Sequence, residues 1–176
     1  VYENHTRNKE LLKYAQTDAL TGLYNKETTE QLTDELLSED ENKSHAFLIL
    51  DVDCFKQIND IYGHAVGDIV LQKFGKLLKG TFREGDILGR IGGDEFGVIM
   101  KNIQTKDIAM KKAGELLAKT QAYKIDELKG NNISISIGIS TAPQDGDCYM
   151  DLYKRADQAL YQAKRSGKAR VCNYFS

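Results

Sequence analysis

The sequence reads Gly92-Gly93-Asp94-Glu95-Phe96 at the junction of two apolar segments. Paired glycines are a strong signal for a tight β-hairpin, because both central residues of a type I′ turn need a positive φ. We therefore predict strands over about 86–91 and 95–100, with Asp94 and Glu95 at the tip of the hairpin. Two acids at a hairpin tip are candidates for ion binding, although turns also favour Asp and Gly for local reasons.

A second acidic segment follows a buried strand. The apolar run Phe47-Leu48-Ile49-Leu50 predicts a strand over 45–51, and it leads directly into Asp51-Val52-Asp53. Acids, a lysine and an asparagine crowd the residues that follow, which is more typical of a ligand site than of a plain loop. If the two strands are neighbours, the carboxylates of Asp51 and Asp94 meet. Clustered carboxylate oxygens suit Mg²⁺, and Mg²⁺ at an open sheet edge suits nucleotide phosphates.

The remaining elements follow from helical and strand periodicity. The predicted helices cover about 3–17, 25–37, 56–62, 66–79, 105–120 and 149–166. The alternation from Ile133 to Ser140 predicts a further strand, and 171–174 predicts an edge strand. In chain order the core reads β-α-β-β-α-β, which is a ferredoxin-like α+β fold with extra helices and an antiparallel central sheet. In that topology the end of the first strand lies beside the start of the third.

Composition narrows the class of protein. A chain of 176 residues with 41% apolar residues is long enough for one domain with a substantial core. The net charge of −2 provides no general attraction for polyanions, so we expect no nucleic-acid partner. The apolar runs are too short to span a membrane. The scattered cysteines Cys54, Cys148 and Cys172 fit no zinc motif and indicate reduced thiols in a cytoplasmic protein.

Four blocks of this sequence are similar to the GGDEF domains, the diguanylate cyclases. In family order they are Asp18 to Lys26, Asp51 to Asp68, Gly92 to Phe96 and Ala156 to Lys168. Four co-linear blocks argue strongly against a chance match, and the fold that the resemblance implies is that of nucleotidyl cyclase and polymerase palm domains. We assign 17–176 to the cyclase domain and 1–16 to a lead-in helix. Because the sequence begins with Val1, we interpret it as a fragment, with an upstream sensor and any membrane anchor preceding it.

The resemblance implies a reaction. Two GTP condense to cyclic di-GMP and two pyrophosphates, as each 3′-hydroxyl attacks the α-phosphorus of the other nucleotide. Such chemistry needs a metal, here Mg²⁺ with Mn²⁺ as a substitute, to neutralise phosphate charge and to acidify the hydroxyl. One domain offers one nucleotide site, so two copies must meet as a homodimer for catalysis.

The resemblance also implies the metal site. Asp51, Asp94 and the carbonyl of Val52 match the family's metal ligands, and Glu95 matches a residue that either shares the metal or accepts the proton. Asp53 either joins the metal or supports the loop; the sequence leaves both open.

The substrate contacts are implied in the same way. Asn59 and Asp68 match guanine readers, because a carboxylate accepts the N1 and N2 protons that adenine does not present in that arrangement. His64 either contacts the nucleotide or makes a structural hydrogen bond in its turn. The implied phosphate contacts are the backbone N–H groups of Cys54 and Phe55 and the side chains of Lys56, Lys164 and Lys168, with Lys56 also counted as catalytic.

A possible feedback site lies before the hairpin. Arg83-Glu84-Gly85-Asp86 matches the family's inhibitory site, in which the arginine grips the product and the aspartate accepts from guanine; the alternative is a loop with a salt bridge. Two other functions stay open: a catalytically silent module that senses GTP or cyclic di-GMP, and another nucleotidyl cyclase. Intact acids at the hairpin favour the enzyme over the silent module.

Overall fold

The computed structural model describes residues 2–39 and 42–175, so Val1 and Ser176, at the limits of the predicted domain ranges, lie outside the described residues. The helices are α1 (Tyr2–Gln16), α2 (Lys26–Glu39), α3 (Phe55–Tyr62), α4 (His64–Thr81), α5 (Lys106–Ala122) and α6 (Tyr149–Arg165). The strands are β1 (His45–Val52), β2 (Ile87–Arg90), β3 (Glu95–Met100), β4 (Ile135–Ala142) and β5 (Val171–Asn173). No helix in these ranges combines the length and the apolar character needed to cross a membrane.

The strands form one five-stranded sheet in the order β2-β3-β1-β4-β5. β1 lies at its centre and pairs antiparallel with both β3 and β4, whereas β5 pairs parallel with β4 at the edge. The first four strands therefore have the ferredoxin-like arrangement that the element order predicts. The predicted adjacency is confirmed, because Asp51 near the end of β1 pairs with Glu95 at the start of β3.

Helices cover both faces of this sheet, and every residue of β1 is consequently buried. Since side chains alternate along a strand, Leu48 and Leu50 belong to one core, where they pack with Phe74 of α4. Phe47 and Ile49 belong to the other core, formed with α2 and α6. Burying each of these side chains contributes about 1.5–3 kcal/mol. The apolar part of β1 thus fixes the strand as the layer between two cores and sets where its polar end emerges.

β4 differs from its prediction in its start and in its burial. It begins at Ile135 rather than Ile133, and all eight of its residues are buried although the sequence alternates serine with apolar residues. Hydrogen bonds compensate the buried hydroxyls: Ser136 Oγ donates to Asp53 at 2.7 Å and Ser140 Oγ donates to the carbonyl of Leu152 at 2.8 Å. The serines therefore connect β4 to the end of β1 and to α6.

Gly138 of β4 provides a test of this packing, because α6 lies directly against it. A Cβ at position 138 would lie 2.1 Å from the carbonyl oxygen of Ala156 and 2.3 Å from the amide nitrogen of Leu160. Gly138→Ala should destabilise the fold by more than about 2 kcal/mol in urea unfolding. Gly114→Ala in α5 is the matched control, since its Cβ would meet open space. This substitution should stabilise the fold by about 0.5–1 kcal/mol. Equal midpoints for Gly138→Ala and wild type would contradict this packing.

Candidate active site

The end of β1 and the turn of the hairpin bring two carboxylates together. The N–H of Val52 donates to the carbonyl of Asp94 at 3.3 Å, which holds the turn against the strand end. Burial and the neighbouring Asp94 carboxyl raise the pKa of Asp51 to about 7, while Lys164 of α6, which forms an ion pair with Asp51, acts in the opposite direction. Oδ1 of Asp51 is buried and has no hydrogen-bond partner in the described part of the chain.

These features fit a divalent cation. Two carboxyls interact at a buried position, and Oδ1 of Asp51 lacks a hydrogen-bond donor within the described residues. Hard oxygen ligands of this kind are those that Mg²⁺ prefers. A cation held by Asp51 and Asp94 would bind Oδ1 and would offset the burial and the Asp94 carboxyl that together raise the pKa of Asp51.

Glu95 pairs with Asp51 across β1 and β3, and α6 holds its carboxylate. It begins β3, and the hydroxyl of Tyr153 donates to its Oε1 at 2.9 Å. Tyr153 in turn stacks on Tyr149, with 5.9 Å between the ring centroids. Within the described residues, Asp51, Asp94 and Glu95 do not form a cluster of three ligands. A metal role for Glu95 therefore stays a prediction.

Tyr153 was not predicted from the sequence as a partner of Glu95. The available signal was the i, i+4 spacing of the two tyrosines on one face of α6, which places their rings together. Burial raises the pKa of Glu95, and the hydrogen bond from Tyr153 opposes that effect. The carboxyl is consequently fixed in direction but easier to protonate than an exposed glutamate.

Asp53 is engaged by internal donors. Its carboxylate accepts from Ser134 Oγ at 2.5 Å, from Ser136 Oγ at 2.7 Å and from the N–H of Ala169 at 3.2 Å. These donors come from the approach to β4, from β4 itself and from the loop after α6. The contacts favour the loop-supporting alternative for Asp53, since they occupy both carboxylate oxygens.

The expected phosphate contacts surround the start of α3. Cys54 adopts a left-handed conformation with φ 56°, and α3 begins at the next residue. The first N–H groups of a helix have no intrahelical acceptor, so those of the N-cap Cys54 and of Phe55 and Lys56 are available to an anion. Lys168 lies close by, with its Nζ 3.1 Å from Cys54 Sγ, and Lys164 is held at Asp51.

The expected guanine readers lie at the corner between α3 and α4. A Cβ at Gly67 would lie 1.9 Å from Oδ1 of Asn59, so only glycine lets the Asn59 side chain rest against the backbone of α4. The next residue, Asp68, is exposed, and so is His64 at the start of α4. The fold therefore brings Asn59 and Asp68 to one corner.

The hairpin turn corrects one prediction. Neither Gly92 nor Gly93 has a φ in the left-handed region, so the connection is not a type I′ turn. Four residues separate the strands, and the N–H of Gly92 donates to the carbonyl of Glu95 at 3.1 Å. Gly92 instead lets the backbone of the turn approach the Glu95 side chain closely, since a Cβ at position 92 would lie 3.1 Å from Cβ of Glu95.

An arginine that the sequence analysis missed holds this turn from outside. Arg90 donates to the carbonyl of Gly93 through Nη2 at 2.7 Å and through Nε at 3.1 Å. Its Nη1 lies 3.2 Å from Oδ1 of Asp18, and Oδ2 of the same carboxylate accepts from the N–H of Thr21. Arg90 therefore connects the hairpin to the first sequence block, and no local pattern marks a contact between residues so far apart.

Asp86 of the expected feedback site is engaged inside its own turn. It accepts from the N–H groups of Arg83 and Lys101, each at 3.1 Å, and its side chain is 2% exposed. The Arg83 side chain is 62% exposed and donates to the carbonyl of Lys101 at 2.6 Å. The structure thus contains the salt-bridged loop, and product binding stays a prediction centred on Arg83.

Known proteins resemble this chain over most of its length. The family model described as "Diguanylate cyclase, GGDEF domain" matches residues 15–170. Diguanylate cyclase A of Treponema denticola is 37% identical over 171 residues, which cover 93% of this chain and 46% of the relative. Diguanylate cyclase TpbB of Pseudomonas aeruginosa is 35% identical over 164 residues, with 92% and 38% covered. The chain therefore spans less than half the length of these curated relatives.

Two solved structures are similar to this chain in fold. The GGDEF domain of TpbB from Pseudomonas aeruginosa superposes with a TM-score of 0.85 at 33% identity, covering 90% of this chain and 94% of that one. The coiled coil and GGDEF domain of DgcB from Caulobacter crescentus, solved with c-di-GMP, reaches a TM-score of 0.89 at 24% identity, which supports the fold alone.

The raised pKa of Asp51 predicts how the stability of the metal-free protein depends on pH. Because the folded pKa of about 7 exceeds the ordinary 3.8, the folded state binds this proton more tightly. The stabilising contribution is complete below pH 3.8 and is lost as the pH rises through about 7. Asp51→Asn should therefore flatten the fall in unfolding free energy between about pH 5 and about pH 8, measured by urea unfolding with chelator present.

The exposed acid Asp60 supplies the control for this measurement. Asp60→Asn should keep the wild-type pH profile, and Mg²⁺ should stabilise wild type more at high pH than at low pH. Identical profiles for wild type and Asp51→Asn would show that Asp51 is ordinary in its titration.

Proposed function

This chain belongs to the GGDEF domain family, and on that premise we propose that it condenses two GTP into cyclic di-GMP and two pyrophosphates. The observation that carries the proposal is the Asp51–Asp94 pair, which combines close carboxyls, burial and an oxygen without a donor. Residues 17–176 form the cyclase domain in this proposal, and 1–16 end a linker. Since GTP is the substrate, we place the domain in the cytoplasm.

Asp51, Asp94 and the carbonyl of Val52 would hold the metal, which would be Mg²⁺ or Mn²⁺. When bound, it neutralises phosphate charge and acidifies the attacking 3′-hydroxyl. The start of α3 supplies N–H donors from Cys54 and Phe55 to the phosphates. The lysines supply positive charge around the same point; they are Lys56, Lys164 and Lys168.

Glu95 is the better candidate for the proton acceptor than for a further ligand. The hydroxyl of Tyr153 donates to Oε1 and fixes the carboxyl, and Glu95 forms no three-ligand cluster with Asp51 and Asp94 in the described part of the chain. Burial raises its pKa, which makes it a stronger base than an exposed glutamate. In this assignment Oε2 receives the proton of the 3′-hydroxyl, and Tyr153 orients the carboxyl.

Asn59 and Asp68 select guanine at the far end of the nucleotide. Their side chains reach one corner because Gly67 lets α3 approach α4 closely. A guanine pairs its N1 and N2 protons with Asp68, whereas adenine leaves that carboxylate unpaired, which penalises ATP. His64 stands exposed at the same corner and contacts the nucleotide from outside.

Two copies are required, because each chain provides one nucleotide site and the product is made from two nucleotides. α1 exposes an apolar strip on which Leu11 is 58% and Leu12 is 59% exposed. We assign to α1 the link between two copies and to an upstream region the sensor that controls them, through helix pairing of the coiled-coil type.

The direct test is incubation of the protein with GTP and Mg²⁺, followed by resolution of the products by mass. Wild type should form cyclic di-GMP, and Asp94→Asn should lose more than about 100-fold of turnover, because it removes charge from the metal site. Asp60→Asn on the exposed side of α3 should keep wild-type turnover.

Each other outcome of this assay has a distinct meaning. Turnover of Asp94→Asn within about tenfold of wild type would overturn the assignment of the metal site. Wild-type binding of GTP without any product would favour the silent sensing module.

Product inhibition should depend on Arg83 rather than on Asp86, because Arg83 is the exposed member of the pair. Cyclic di-GMP should inhibit wild type non-competitively with respect to GTP, whether its binding tilts the hairpin or cross-links two domains. Arg83→Ala should keep synthesis and need at least about tenfold more cyclic di-GMP for half inhibition. Glu84→Ala changes the neighbouring exposed residue and should be inhibited by cyclic di-GMP as wild type is. Superimposable curves for Arg83→Ala and wild type would reduce the motif to a salt-bridged loop.

A further inference from the structure

The outer face of α6 carries a symmetric charge pattern. Asp157 and Arg165 stand four residues before and four residues after Tyr161, and all three side chains are exposed, Tyr161 by 61%. Residues at this spacing lie on one face of a helix. The Arg165 guanidinium lies 5.8 Å from the centroid of the Tyr161 ring. Among the described residues, neither Asp157 nor Arg165 has an ion-pair partner within the chain.

We propose that this α6 face, defined as Asp157, Tyr161 and Arg165, is a contact surface for a second copy of the chain. A two-fold axis through Tyr161 would pack two α6 helices antiparallel and place each Asp157 opposite the partner's Arg165. A contact of this kind is isologous, since the same patch serves both copies and each ion pair occurs twice. The self-complementary charges identify the occupant, because another copy supplies the matching pattern in the required order.

An open cavity lies beside the α6 face and gives the contact a place to bury aromatic surface. The cavity has a volume of about 930 Å³, and its lining includes the α6 face together with Tyr174 and Phe175. Phe175 is 82% exposed, so the cavity has an apolar rim that is covered by no described residue. Aromatic side chains seated in such cavities contribute most of the energy at protein interfaces. In the two-fold arrangement, Tyr161 of each copy packs against Tyr161 of the other, at the wall of this cavity that the α6 face itself forms.

The location of the cavity relates the contact to the reaction. Glu95 and Lys164 line the same cavity, so the α6 face borders the candidate active site. This part of the inference rests on the proposed function, which needs two nucleotide sites turned toward each other. In that view α1 raises the effective concentration of the second copy, and the α6 face fixes the orientation in which the copies meet.

Charge reversal tests the contact, because the two single variants repel themselves and complement each other. Asp157→Arg alone places like charges at both contacts, and so does Arg165→Asp alone. Each should lose about tenfold of specific activity at a fixed, low protein concentration. An equimolar mixture of the two variants should recover most of the wild-type activity, since every arginine then faces an aspartate. Failure of the mixture to recover, or full activity of either single variant, would overturn the proposal.

A control and a second pair guard against local effects of these substitutions. Lys111→Asp reverses an exposed charge on α5, across the sheet, and should keep wild-type activity. Tyr161→Glu and Tyr161→Lys place like charges on the two-fold axis when used alone and opposite charges when mixed. This pair should show the same loss and recovery even if a variant at 157 or 165 does not fold. Loss without recovery in this pair would again overturn the proposal.

Sedimentation velocity at high protein concentration separates this inference from the proposed function. Association should be weakened in each single variant and regained in the mixture, whether or not GTP is consumed. If wild type makes no cyclic di-GMP but the variants follow this association pattern, the contact stands and the catalytic proposal fails. If wild type is active and association ignores the variants, the contact is wrong and the catalytic proposal stands.

Discussion

The charge of Asp51 at the end of a fully buried strand is the constraint on which the site depends. β1 is apolar from Ala46 to Leu50 and lies between two cores, so its end cannot move toward water without exposing them. Pairing with β3 then brings Asp94 against the same end. A carboxyl held there either keeps its proton or acquires a cation, since burial and a like charge both disfavour the ionised form.

The side chains that contact the carboxylates of the site come from the C-terminal third of the chain. α6 lies on β4 because Gly138 leaves room for its backbone, and this position brings Lys164 to Asp51 and Tyr153 to Glu95. Asp53 then fastens the loop after α6 and keeps Lys168 beside the start of α3. Stability and chemistry therefore share the same contacts, and a change in the seating of α6 affects the carboxylates, the lysines and the α6 face together.

Residues distant in sequence account for the differences between expectation and structure. The paired glycines predicted a hairpin correctly but the wrong turn, because Arg90 and Asp18 support a longer connection that needs no left-handed residue. The serines of β4 alternate as in a half-exposed strand, yet they are buried because Asp53 and the backbone of α6 accept their protons. A pattern of period two reports polarity, whereas burial depends on which acceptors the fold brings near.

The sequence by itself determined the order of elements, the strand that carries Asp51 near its end, the acidic hairpin and the family. Each of these depends on local periodicity or on blocks of adjacent residues. The tertiary structure alone decided which partner each polar group has: Lys164 for Asp51, Tyr153 for Glu95, three donors for Asp53 and the interior of a turn for Asp86. The physical reason is that a hydrogen bond or an ion pair acts over a few ångströms in space. Separation along the chain, as between Lys164 and Asp51, does not predict this distance in space, which is set only when β1, β4 and α6 pack together.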